Sequence, residues 1–112
     1  MILKNCTFFN ENFEKEYGDI EIENGKIKQI GILDGDGKDM AGKIIIPGFI
    51  DVHIHGCAGG DASDADKSGL EKMAKELAKH GVTSFCPTSM TLPKKRLESI
   101  VETIKEFKEE NH

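Results

Sequence analysis

Two histidines separated by a single residue, His53 and His55, are the strongest chemical signal in the sequence. On a β-strand alternate side chains share a face, so this spacing projects both imidazoles the same way, with Cα atoms about 6.5–7 Å apart. Two imidazoles so placed can converge on one metal ion. A bare His-x-His also arises as a packed or surface pair, so the neighbours must decide. Here Phe49-Ile50-Asp51-Val52 leads into the pair as a buried strand, and Gly56-Cys57-Ala58-Gly59-Gly60 follows it. Those glycines read either as a place where a substrate approaches the backbone or as a flexible strand-to-helix loop. Asp51 shares the histidine face, one pair of residues deeper. It is a candidate to orient His53 from behind the ligands, or else a structural hydrogen-bonding group. Cys57 reads as a small packed thiol rather than a ligand or nucleophile.

The elements that would position this pair change character at Pro47. Before it the pattern is β-like: a strand over Ile2 to Phe9, alternation at Ile20-Glu21-Ile22-Glu23, a type I′ turn at Asn24-Gly25 and a return from Lys26 to Ile30. Ile27 and Ile30 fall on opposite faces of that return, which predicts a bulge or an early end. Asp34-Gly35-Asp36-Gly37 is a loop. Lys38 and Asp39 stand where a calcium loop needs an oxygen ligand and a glycine, so calcium is disfavoured.

After Pro47 the period switches. Ile50, Val52 and Ile54 point away from the histidines, into a helix layer. Leu70, Met73, Ala74, Leu77 and Ala78 recur at helical spacing, with Ser68 and Glu71 predicted as a capping box and Gly81 as the residue just past the helix end. Val82 to Cys86 is a second short strand. Pro93 suits the start of another helix whose buried stripe is Leu97, Ile100, Val101, Ile104 and Phe107. Strand, helix, strand, helix with short connections predicts parallel strands. His80 and His112 fall at predicted helix ends, where imidazolium suits the dipole. Lys94-Lys95-Arg96 reads as a solvated basic face, and Thr88 either lines the site mouth or caps its loop.

Composition narrows the class. Of 112 residues, 15 are Lys or Arg and 20 are Asp or Glu, interleaved to a net charge of -5, which argues against a nucleic-acid surface. No apolar run approaches the ~20 residues that cross a bilayer, so no membrane partner is expected. Cys6, Cys57 and Cys86 lie far apart and form no Cys-x-x-Cys pair, which fits reduced thiols in the cytoplasm.

Ile46-Pro47-Gly48-Phe49-Ile50-Asp51-Val52-His53-Ile54-His55-Gly56 resembles the first-strand signature of the amidohydrolase superfamily. Those enzymes join a metal-binding (β/α)8 barrel to a small β-sandwich built from both chain ends. A second stretch, His80-Gly81-Val82-Thr83-Ser84-Phe85-Cys86-Pro87-Thr88, with the small glycine-rich turn after the histidines, is similar to the N-acetylglucosamine-6-phosphate deacetylase family within that superfamily. The likeness runs from Asp19 to Thr91. It implies an α/β fold: residues 1–46 as part of the β-sandwich, and residues 47–112 as the first two βα units of a TIM-like barrel that takes about 250 residues in full, hence an incomplete chain.

The same resemblance implies deacetylation of N-acetylglucosamine 6-phosphate to glucosamine 6-phosphate and acetate. His53 and His55 would be metal ligands, serving the more buried ion of two-metal members, with one or two divalent ions of zinc or iron. The remaining ligands, the catalytic carboxylate and the groups that bind the phosphate are expected beyond residue 112. No catalytic residue is therefore assigned in this chain, which alone is expected to be inactive. The expected partner is a small amino-sugar phosphate. Open strand edges also predict self-association. Two other readings stay open: another amidohydrolase, such as a dihydroorotase or adenine deaminase, and a short non-catalytic metal-binding or assembly module.

Overall fold

The computed structural model describes residues 1–111, so the helix-end reading of His112 lies outside the described residues. The chain divides into two compact units, 1–47 and 48–112.

The first unit is one four-stranded sheet of order β3-β2-β1-β4, with β1 over Ile2–Phe9, β2 over Lys15–Glu23, β3 over Lys26–Gly31 and β4 over Lys38–Asp39. Asn24 and Gly25 both take positive φ (51° and 73°), the geometry that the predicted two-residue hairpin requires. The return strand carries the expected irregularity. Glu21 pairs Gln29 while Ile22 pairs Ile27, so β3 holds one extra residue there. A second irregularity separates Leu3 from Cys6 on β1, where Asn5 adopts φ 57°. Asp39 accepts from the Asn5 side chain at 2.9 Å, tying β4 to this point.

Cys6, Phe8 and Ile20 form the buried cluster of this sheet, with Leu3, Ile22, Met40 and Ile45 packed against it. Beneath it Asp19, 6% exposed, takes a 2.8 Å ion pair from Lys4 and amide hydrogen bonds from Asn5 and Leu33 at 2.9 and 3.0 Å. The sequence reading did not include β4. Two residues are too short to show a period, yet its parallel pairing with β1 continues through Thr7 and Ile44.

The second unit opens with β5 (Phe49–Ile54), which runs parallel to β8 (Val82–Pro87). Between them lie a hairpin of β6 (Gly56–Cys57) and β7 (Gly60–Asp61), a 3-10 turn over Ala62–Asp64, and α1 (Lys67–Lys79); α2 (Lys94–Glu110) follows β8. The mixed α/β class expected from the sequence is thus present.

Four local expectations are corrected. The cap of α1 is Asp66, not Ser68 with Glu71. The Asp66 carboxylate accepts the Ser68 and Gly69 amides at 3.0 and 3.2 Å, and a charged acceptor closer to the helix start satisfies the free N–H groups first. Glu71 pairs with Lys75 instead. Val101 leaves the stripe of α2 and is 64% exposed, while Ile100 is buried. Arg96 is more than a solvated cation: its guanidinium donates to the Ser63 and Asp64 carbonyls at 3.2 Å, closing the end of the 3-10 turn. Finally, Ile50 and Val52 are not buried. They are 66% and 74% exposed, because α1 packs on β7 and β8 rather than over β5.

Candidate metal centre

The two imidazoles meet at the C-terminal end of β5, with His53 on the strand and His55 just past it. Their Nε2 atoms lie 3.3 Å apart and the rings stand edge to face, with centroids 5.0 Å apart. The register of β5 against β8 helps bring this about. Asp51 pairs Phe85 but Ile54 pairs Pro87, so three steps on β5 match two on β8. An extra residue of this kind bends a strand and re-aims its side chains. At this irregularity the Asp51 carboxylate accepts the backbone N–H of His53 at 3.1 Å. Asp51 therefore touches His53 through the main chain, not through the imidazole.

His55 is held from the other strand. Its Nδ1 is 2.8 Å from the carbonyl oxygen of Thr88, and the Thr88 amide donates to Ile54 at 2.8 Å. A carbonyl can only accept, so Nδ1 carries the proton, and in the neutral ring Nε2 keeps its lone pair on the side of His53. The Thr88 hydroxyl plays no part in this contact, since it donates to the Cys86 carbonyl at 3.1 Å. Sequence reasoning singled out Thr88 for its side chain. The group that matters is its backbone oxygen, which no residue type announces.

The glycine-rich segment is a tight hairpin rather than a flexible loop. Gly56 pairs Asp61 and Cys57 pairs Gly60, with Ala58 and Gly59 both at positive φ in the turn. Gly60 is buried where a Cβ would strike the backbone of Gly69 in α1. That contact docks the hairpin on the helix and fixes where the chain leaves His55; the Ala62 amide returns to the His55 carbonyl at 2.8 Å. Cys57 reaches the Met73 carbonyl at 3.9 Å. Gly48 sits where any Cβ would collide with the Thr83 side chain, which brings the two motif stretches together at the start of the strand pair.

The nitrogen pair fits a metal. A zinc ion with Zn–N bonds of 2.0–2.1 Å and a tetrahedral angle needs its two nitrogens about 3.3 Å apart, which is the spacing seen. One of the two lone pairs is already aimed inward. Among the described residues, however, no group of three or more His, Cys, Asp or Glu side chains gathers around a point. Typical catalytic zinc sites use three protein ligands, so His53 and His55 form part of a coordination shell.

The chain is similar to known proteins over most of its length. Residues 44–110 match the model of the amidohydrolase family. An N-acetylglucosamine-6-phosphate deacetylase from Lysinibacillus sphaericus is 40% identical over 81% of the chain and 24% of its own length. A dihydroorotase from Listeria welshimeri is 36% identical over 96% of the chain and 26% of its own length. Among solved structures, the N-acetylglucosamine-6-phosphate deacetylase of Thermotoga maritima superposes with TM-score 0.81 at 29% identity, covering 99% of the chain and 29% of its own. A Mycobacterium smegmatis deacetylase variant, solved in complex with N-acetyl-D-glucosamine-6-phosphate, gives 0.85 at 22% identity over 99% of the chain and 30% of its own. The chain spans about a quarter of the length of the curated relatives it matches.

Proposed function

The chain belongs to the amidohydrolase family, and on that premise we propose that it carries the first part of a metal-dependent N-acetylglucosamine-6-phosphate deacetylase. In this reading residues 1–46 contribute to a small β-sandwich and residues 47–112 form the first two βα units of a barrel. The observation that carries the reading is the 3.3 Å approach of the two Nε2 atoms at the C-terminal end of β5, where barrel enzymes place their chemistry. The curated deacetylase relatives and the deacetylase structures that align with nearly the whole chain support the choice of substrate class.

His53 and His55 would hold one divalent ion, zinc or iron, both of which suit imidazole. When bound, that ion supplies Lewis acidity toward an acetamide carbonyl and toward water. This chain's own contribution is to fix two ligands in place: Asp51 through the His53 amide, Thr88 through the His55 ring. The further ligands and the carboxylate that moves the proton to the leaving amine lie outside these residues. So do the groups that hold the sugar phosphate.

The dihydroorotase relative, which matches over more of the chain than the Lysinibacillus deacetylase does, favours a second reading: hydrolysis of a cyclic amide. Assay of the intact gene product separates the two. Acetate release from N-acetylglucosamine 6-phosphate supports the deacetylase, while ring opening of dihydroorotate without acetate release overturns it.

A further inference from the structure

Thr88 lies just past the end of β8, and its contact with His55 has a chemical consequence. An imidazole in solution exchanges between two tautomers, and only the one protonated at Nδ1 offers Nε2 to a metal. The 2.8 Å contact from His55 Nδ1 to the Thr88 carbonyl excludes the other form, because two acceptors would then face each other.

We propose that Thr88 is a positioning residue: its backbone carbonyl locks His55 in the Nδ1–H tautomer, so that the residue just past β8 presets a ligand just past β5. This rests on the proposed role of His53 and His55 as metal ligands. The carbonyl is itself held in place. Ile54 and Pro87 are the last paired residues of the two strands, and the Thr88 amide donates across the pair to the Ile54 carbonyl. Pro87 fixes φ near -65°, which sets the course of the chain into Thr88. The Thr88 hydroxyl turns back to Cys86 and leaves the carbonyl free to face the ring.

Long-range 1H–15N correlation spectra of the 112-residue chain, with the two histidines assigned by H53A and H55A, test this directly. The expected pattern is a fixed Nδ1–H signature on His55. Averaged tautomers on His55, or Nε2–H there, would overturn the proposal. T88A keeps the carbonyl and is expected to leave the His55 pattern unchanged. T88P removes the N–H that donates to the Ile54 carbonyl and is expected to abolish it; should T88P fail to fold, the spectra of the unsubstituted chain and of T88A decide alone. Excess zinc added to the intact gene product is then expected to shift the Nε2 resonances of both histidines. In the intact gene product, a locked His55 that ignores zinc would uphold the tautomer assignment and contradict the metal reading instead.

Discussion

Lys4 and Asp19 form a 2.8 Å ion pair between neighbouring strands, beside the small core of Cys6, Phe8 and Ile20. The hydrogen bond from Lys4, followed by the amides of Leu33 and Asn5, holds the Asp19 carboxyl at about 2, against an ordinary 3.8. A carboxyl lowered by folding stabilises the native state above its unfolded value, and that stability is lost as pH falls through the folded one.

Thermal melting of the first unit is therefore expected to be flat above the ordinary carboxylate range and to fall steadily toward pH 2. D19N is expected to melt lower at neutral pH and to show a shallower acid limb. Parallel acid limbs in the two proteins would show that Asp19 is not the responsible group.

The helix α1 offers a test of which residue caps it. D66A is expected to lower the melting temperature of the second unit more than S68A, because Asp66 accepts both free amides while Ser68 only supports it. Equal effects, or a larger one from S68A, would restore the capping box that the sequence suggested.

Much of the architecture is legible in the residues, for identifiable reasons. Asn24-Gly25 has few alternatives to a tight hairpin, and the clash between the Ile27 and Ile30 faces forces the irregularity at Lys28. Gly81, at φ 80°, ends α1 as its position predicts. What the sequence conceals is what depends on backbone atoms or on partners distant in the chain. The Thr88 carbonyl, the two-residue β4 and the Gly60–Gly69 contact belong to this group. The exposure of Ile50 and Val52 is of another kind. Their apolar character is plain, yet both stay exposed, since α1 packs on β7 and β8.

The hairpin after the histidines is held by close backbone packing. G60A places a methyl group against the Gly69 backbone, where something must shift. Overpacking of this kind costs about 1–3 kcal/mol. The expected result is a lower melting temperature with the His53–His55 contact disturbed, whereas G59A, where a Cβ meets open space, is expected to be milder. An unperturbed G60A would mean that the hairpin is free to move.

Exposed apolar strand faces carry a cost in solution. Phe49, Ile50 and Val52 are 59%, 66% and 74% exposed on one strand, and such surfaces drive association. Sedimentation of the 112-residue chain is expected to show concentration-dependent oligomers. A monodisperse monomer with a cooperative melt would contradict this and would favour a finished domain.

Because the described residues bring together only two ligands, the chain by itself is expected to lose zinc on gel filtration. The central claim, that His53 and His55 share one ion, is tested most directly by X-ray absorption of the zinc-loaded intact gene product. Imidazole nitrogens at about 2.0–2.1 Å are expected, with one fewer in H53A and one fewer in H55A. Zinc bound at full stoichiometry with an unchanged nitrogen shell in both variants would place the metal elsewhere.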